Sequence, residues 1–444
     1  MMNTTIDQLY EIYQNHPSIC TDTRSLQAGD LFFALRGDRF DGNRFAKAAL
    51  NTGAAFAVVD DVQLVGQEKM IYVEDTLQCL QDLARHHRRQ LDIPIIALTG
   101  SNGKTTTKEL MAAVMGSHYP MQYTRGNLNN HIGVPLTLLS ISSDAEVAII
   151  EMGANHQGEI EQLCQIAEPT HGLITNIGQA HLEGFGGEEG VKKGKSELYR
   201  YLAENKGVAF VNLSEPHLLE LSEAVTKRIF YKQGEVCRNS GPYFTAKLVE
   251  SNPFVVAEFL GEQGALIELR SQLIGRYNFN NIMTAIVIGW YFKVPCEKIK
   301  KAIEGYAPAN NRSQLLKIGS NTLILDAYNA NPSSMKEALL ALQAMQGEHK
   351  LAILGDMLEL GAKSEQAHHE IVVLAKSMPE LRLVLVGPIF SKAAKLFGVQ
   401  HFMDVQQLRT WFNRQSFAQS LILVKGSRGM ALEKILPKEI SEKH

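Results

Sequence analysis

The chain has 444 residues, 45% of them hydrophobic and 20% charged, with 44 Lys+Arg against 47 Asp+Glu and a formal net charge of −3. That length predicts two to four domains at roughly 150 residues each, with three as the central expectation. Ordinary glycine, proline and aromatic contents exclude a disordered or fibrous chain, and the slight acidic excess excludes a general nucleic-acid binder while leaving room for local anion sites.

Residues 1–91 mix short strands, at 31–35 and 55–59, with a helix over 76–90 that is polar and Arg/His-rich on one side. Pro94 then opens a new region. Over 92–307 the apolar runs 95–98, 147–150, 173–177 and 208–211 alternate with helical patterns, which predicts a doubly wound, mainly parallel sheet. Runs 254–260 and 266–273, joined by Gly261-Glu262-Gln263-Gly264, read as a hairpin at its edge. Helices are predicted over 279–292 and 296–305, and Pro308 with Asn310-Asn311-Arg312-Ser313 reads as a linker. From 308 to 444 the rhythm returns, with strands at 323–325, 351–354, 383–386 and 421–424 and a helix over 334–345, giving a Rossmann-like α/β domain. The expectation is an α/β protein of three domains, 1–91, 92–307 and 308–444.

Five cysteines (Cys20, Cys79, Cys164, Cys237, Cys296) are odd in number and scattered, a pattern of neither disulfides nor zinc ligands, which predicts a reducing compartment. The start of the chain lacks a signal-peptide pattern. No apolar run approaches the ~18 residues of a membrane helix, so a cytoplasmic protein without membrane insertion is expected.

The strongest local signal is Thr99-Gly100-Ser101-Asn102-Gly103-Lys104-Thr105-Thr106, between the strand 95–98 and a helix over 105–115. Glycines allow a tight turn that aims successive N–H groups at one point. The helix N-terminus adds its positive dipole end, and a lysine adds a mobile charge for the outer phosphates. Thr105 is placed to put its hydroxyl on Mg²⁺. Only Ser101 and Asn102 separate the glycines, fewer than in the generic phosphate loop. Glu151, after the run 147–150, is either a carboxylate for Mg²⁺ at the sheet edge or an acid at a helix N-terminus. His181, in Thr175-Asn176-Ile177-Gly178-Gln179-Ala180-His181, is either a metal or phosphate ligand or a structural residue.

Together with Asp326-Ala327-Tyr328-Asn329-Ala330-Asn331-Pro332, these strings resemble the Mur ligase family over essentially the whole chain, from Asp22-Thr23-Arg24 to Lys425-Gly426-Ser427-Arg428. The shortened phosphate loop is a feature of that family. The resemblance implies an N-terminal domain for the uridine end of a nucleotide-sugar substrate, a central ATP-binding domain and a C-terminal acceptor domain. Thr23 and Arg24 would lie in the uridine-binding segment, and Asn127 and Asn130 in a loop facing the substrate's phosphates and sugar. Gly100 to Thr106 would cradle ATP. Asn278 would contact the adenine, cap the following helix, or both, while Arg312 would reach the ATP phosphates and Asp326 the ribose hydroxyls.

The resemblance also implies that a lysine in Lys192-Lys193-Gly194-Lys195 is carbamylated by CO₂ and becomes an anionic metal ligand. Lys195 is assigned, with Lys193 as the competitor. Lys104, Glu151, His181 and Lys195 would then be the catalytic set, with Thr105, Glu151, His181 and Lys195 holding two Mg²⁺ ions. The implied reaction joins D-Ala-D-Ala to UDP-MurNAc-tripeptide through an acyl phosphate, with Lys425 and Arg428 binding the dipeptide carboxylate. Two alternatives are a sister ligase adding diaminopimelate, lysine or glutamate to its own substrate, and a phosphate-loop ATPase that ligates nothing. A monomer is expected.

Overall fold

The runs that read as strands are buried along their length. Ile95–Thr99, Val147–Glu151 and Val208–Asn212 have no exposed residue, as a parallel sheet covered by helices on both faces requires. The computed structural model describes residues 4–38, 40–236, 243–308 and 311–436; Cys237 and Asn310, named above, lie outside them. Among the described residues no helix is long and apolar enough to cross a membrane.

Three sheets carry the three domains. The central one has nine strands in the order Leu266–Ile274, Phe254–Leu260, Phe244–Glu250, Lys227–Gln233, Val208–Asn212, His171–Ile174, Ile95–Thr99, Val147–Glu151, Met121–Tyr123. Neighbours are parallel from Met121–Tyr123 as far as Phe244–Glu250, and the last two pairings are antiparallel. The expected edge hairpin is therefore the end of a three-stranded antiparallel extension. Strand Ile95–Thr99 has Val147–Glu151 on one side and His171–Ile174 on the other, so the chain order reverses there. Such a switch point opens a crevice at the carboxyl ends of the strands. Register sets Leu98 opposite Glu151 and Thr99 opposite Ile174.

The strand expected at 173–177 ends at Ile174. Thr175 Oγ1 and Asn176 Nδ2 donate to Asn102 O at 2.7 and 3.0 Å, so these residues leave the ladder to brace the phosphate loop. One face of the sheet is covered by Lys104–Gly116, Asn278–Tyr291 and Cys296–Gly305, with Leu110, Met111, Ile282 and Ile286 in the core. The other face packs against Glu159–Ala167 and Glu188–Glu204, and its core runs without a break into the N-terminal domain, from Ile150 to Leu9 and Phe33. Helix Thr76–Gln90 joins the two. Asp75 starts it by accepting from Gln78 N at 2.9 Å, and Leu80, Leu83 and Ala84 are fully buried in that shared core.

The N-terminal sheet is four-stranded and parallel. The C-terminal sheet has six strands, an antiparallel pair Gln314–Ile318 and Asn321–Asp326 followed by parallel Ser420–Lys425, His349–Gly355, Leu381–Val386 and Gln400–Phe402. Its helix Pro332–Ala344 begins with a capping box between Asn331 and Ser334 and with Pro in the first turn, which turns Asn331 and Ser333 toward the central domain.

Candidate active site

The phosphate loop is held open by its neighbours. Gly100 (φ +142°) and Gly103 (φ +77°) occupy backbone conformations that side chains disfavour. A Cβ on Gly100 would lie 2.0 Å from Thr175 Oγ1, and one on Gly103 2.6 Å from Asn281 Oδ1. Ser101 Oγ donates to Gly178 O at 3.1 Å and accepts from Gly178 N at 2.9 Å. Helix Lys104–Gly116 starts directly behind, aiming its free N–H groups into a cavity of about 830 Å³ that central and C-terminal residues line together. Lys104 Nζ donates to Gly100 O at 2.6 Å and Ser101 O at 3.3 Å. Burial lowers its ammonium to about 8, with Glu151 opposing and Arg312 adding to the effect.

Glu151 ends its strand and is 1% exposed, and no helix begins until Glu159, so it is not a helix N-terminal acid. Its Oε1 accepts from Thr105 Oγ1 at 3.2 Å and Asn129 Nδ2 at 2.7 Å, while its backbone N–H donates to Thr124 Oγ1. The other oxygen, Oε2, is buried without a hydrogen bond, the nearest cation being Lys108 Nζ at 3.8 Å. A buried, orphaned carboxylate oxygen next to a threonine hydroxyl at a phosphate loop is a donor set that fits Mg²⁺.

Lys195 is not among the cavity-lining residues; it is 1% exposed, its Nζ 3.2 Å from O of the lining residue Ala154 and 4.9 Å from the centre of the Phe185 ring. Burial, and then the charge of Lys104, lowers its pKa well below the usual lysine value. Lys193 is exposed. Among the described residues no three His, Cys, Asp or Glu side chains cluster as a ready metal site. His181 lines the cavity and its Nδ1 lies against Glu359 Oε2 of the C-terminal domain.

The C-terminal wall holds Arg312, Asp326, Tyr328 and Asn331. Arg312 stacks on Tyr328, 3.7 Å from the ring centre. Asn331 Nδ2 donates to Asn102 Oδ1 at 2.7 Å, which ties the phosphate loop to the C-terminal helix.

Three sequence expectations change. Lys425 does not present a free cation for a dipeptide: it is 2% exposed, opposite Asp326 in register, and its Nζ donates to Asp326 Oδ2 at 2.6 Å and Asn329 O at 3.2 Å. Asn278 is not a helix cap. The cap is Tyr277, which makes no side-chain cap bond, whereas Asn278 donates to Ile274 O and accepts from Asn281 Nδ2, both at 2.8 Å. Asn130 lines the cavity, but its Oδ1 accepts from Ile132 N and Gly133 N and so shapes the loop. Thr23, Arg24, Asn127 and Arg428 are not among the cavity-lining residues. Arg24 pairs with Asp22 on the surface, and Arg428 lies exposed, 5.7 Å from the centre of the Tyr328 ring.

Lys108 escaped the sequence reading, and Asn129, Asn281 and Glu359 stand in family-like strings without a role of their own. Lys108 had a signal, since it follows Lys104 by four residues and so shares its helix face; the others follow only from the fold.

Residues 17–88 match the Mur ligase family catalytic domain, 98–289 the Mur ligase middle domain, and 311–428 the Mur ligase glutamate ligase domain. The UDP-N-acetylmuramoyl-tripeptide–D-alanyl-D-alanine ligase of Bacillus subtilis is 35% identical over 437 residues, covering 94% of this chain and 92% of the relative. That of Escherichia coli is 34% identical over 98% of both chains. A crystal structure of MurF from Acinetobacter baumannii, 32% identical, superposes with a TM-score of 0.85 over 100% of this chain and 99% of the other.

Proposed function

The chain belongs to the Mur ligase family, and we propose that it joins D-alanyl-D-alanine to UDP-N-acetylmuramoyl-tripeptide at the expense of ATP. One observation carries the reading: the phosphate loop and Glu151, with its orphaned oxygen, line one cavity together with Arg312, Asp326 and Asn331 of the C-terminal domain.

The tripeptide's terminal carboxylate attacks the γ-phosphorus of ATP. A carboxyl–phosphorus bond forms, the bond to the β-bridging oxygen breaks, and ADP leaves. The amine of D-Ala-D-Ala then attacks the acyl carbon, inorganic phosphate leaves, and the amine gives up a proton. Both reactants of the first step are anionic, so this chain's main task is charge neutralisation. Lys104 supplies a positive charge beside the loop amides and Arg312 a second from the C-terminal side. Mg²⁺, when bound, adds further positive charge, one ion held by Thr105 and Glu151 and the other by His181 and carbamylated Lys195. CO₂ adds to the unprotonated amine, and burial that lowers the lysine pKa favours Lys195 over the exposed Lys193.

Asp326, oriented by Lys425, is the acceptor for the ribose hydroxyls. Arg428, exposed and 3.7 Å from Glu433 Oε1, takes the dipeptide carboxylate. Thr23, Arg24 and Asn127 serve the uridine and sugar-phosphate end, with Asn130 shaping the loop that faces it. The domains extend over 1–91, 92–307 and 308–444, and the protein acts as a cytoplasmic monomer. Measuring ADP release with UDP-muramoyl peptides, with and without D-Ala-D-Ala, tests the function. Sustained release needs both substrates, and equal turnover without the dipeptide sinks the reading.

A further inference from the structure

The cavity has an end that the chemistry above leaves unused. Glu215 lies there, just past strand Val208–Asn212, which is the second neighbour of the phosphate-loop strand Ile95–Thr99 across the sheet. At about 4.8 Å per strand the two lie about 10 Å apart, a reach that fits a nucleotide with its outer phosphates on the loop and its base at the far end. The turn that carries Glu215 is rigidly built. Asn212, 1% exposed, accepts from Ser214 N at 2.9 Å, Ser214 Oγ accepts from Gln233 N at 2.9 Å, and Glu215 N donates to Asn212 O at 3.2 Å.

The side chain is fixed as well. Glu215 Oε1 accepts from Asn280 Nδ2 at 2.7 Å, and Oε2 has no hydrogen-bond partner among the described residues. No cation faces it there, and burial pushes the carboxyl up to about 7, against the Asn280 bond. A half-buried carboxyl with one free acceptor at the base end of a nucleotide cavity calls for a neutral N–H donor.

We propose that Glu215 selects adenine, its free carboxylate oxygen accepting the exocyclic amine at position 6 of the base. A 6-oxo purine such as guanine or hypoxanthine presents an acceptor at that position and sets two lone pairs against each other. Asn280 holds the carboxylate in plane for the contact, and the neighbouring Gln233 amide lines the same wall. The inference rests on the ATP reading of the cavity, and it adds the residue that discriminates between purines.

Calorimetric titration of the full chain with MgADP and MgIDP tests it without any acceptor substrate. Wild type is expected to bind ADP at least about tenfold more tightly than IDP. In Glu215→Gln, whose amide can donate to a 6-oxo group, that ratio falls about tenfold or more. In Glu215→Ala it falls through weaker ADP binding, and in steady-state assays the loss appears in KM for ATP more than in kcat. An ADP:IDP ratio within twofold of wild type in the isosteric Gln variant, folded by its melting curve, overturns the inference and leaves the ATP reading intact. Wild type that binds neither nucleotide overturns both.

Discussion

His181 and Glu359 meet across the boundary between the central and C-terminal domains, and both hold left-handed backbone, at φ +55° and +65°. Non-glycine residues adopt that conformation at a cost of about 1–3 kcal/mol each and keep it only where the surroundings impose it. Here Glu183 N donates to Glu359 O at 3.4 Å, and Lys363 Nζ bonds Glu188 Oε1 at 3.0 Å. The imidazole holds the Glu359 carboxyl below the usual glutamate range. A carboxylate lying against Nδ1 leaves Nε2 for a metal, the arrangement in which an outer partner tunes a ligand. Glu359→Ala should lower activity about 10- to 100-fold and shift the half-saturating Mg²⁺ concentration upward. Glu359→Gln should recover part of this. Lys363→Ala, which breaks only the neighbouring ion pair, should leave the Mg²⁺ titration where it is.

Lys104 is the residue whose loss should cost most in turnover while sparing the fold. Its hydrogen-bond partners are carbonyls of its own loop, so Lys104→Ala breaks no ion pair, and a buried cation is removed. Turnover should fall on the order of 10²–10³-fold, as for other single preorganised electrostatic contacts. The melting temperature should stay at or above that of wild type, and wild-type turnover in the variant would falsify the assignment.

Carbamylation has a direct spectroscopic readout. With ¹³C-bicarbonate, wild type and Lys193→Ala should show a carbamate carbonyl resonance that Lys195→Ala lacks. A signal lost in Lys193→Ala and kept in Lys195→Ala would move the modification to Lys193.

Glu151, Lys195 and Lys425 differ in how far the linear chain reveals them. Glu151 was legible because an acid directly after an apolar run must sit at a strand end, and the register with Leu98 puts it beside the loop. Lys195 was one of three lysines in four residues; only the packing of its helix against Phe185 and the 152–158 turn buries it and exposes Lys193. Lys425 misled because a terminal basic residue reads as free charge. Its pairing with Asp326 comes from the register of strands 99 residues apart in sequence. The continuity of the N-terminal and central cores was equally hidden. The polar pattern of Thr76–Gln90 suggested a surface face, yet Gln81, His87 and Arg88 are buried there with their polar atoms paired.

Arg88 is the clearest structural case among those. Its guanidinium donates to Ala167 O, Glu168 O and Leu91 O at 3.1, 3.1 and 2.8 Å, closing the C-terminal end of helix Glu159–Ala167 against Thr76–Gln90. Arg88→Ala leaves buried carbonyls without donors and should cost about 3 kcal/mol, the range for losing a charged donor in a buried network. Chemical denaturation measures it. A loss under about 0.5 kcal/mol would mean that water replaces the guanidinium.

Three histidines should make the fold acid-sensitive. His368 accepts from Met357 N through Nε2 and faces Ser364 O with Nδ1, His87 contacts Ile141 O and Tyr10, and His171 packs among Phe210, Tyr291 and Phe292. Burial lowers all three, His171 to about 4 with Lys227 adding to the effect. Each protonates less readily in the folded protein than in the unfolded chain, where histidine titrates near 6.5. The unfolded chain therefore binds more protons below that pH, and stability is full above about 6.5 and lost as pH falls toward the folded values. His171 alone should account for about 2 kcal/mol between pH 7 and 5. His171→Phe, which keeps the aromatic packing and removes the titration, should lose correspondingly less stability over that interval in parallel denaturation curves. Identical pH slopes for variant and wild type would place the acid sensitivity elsewhere.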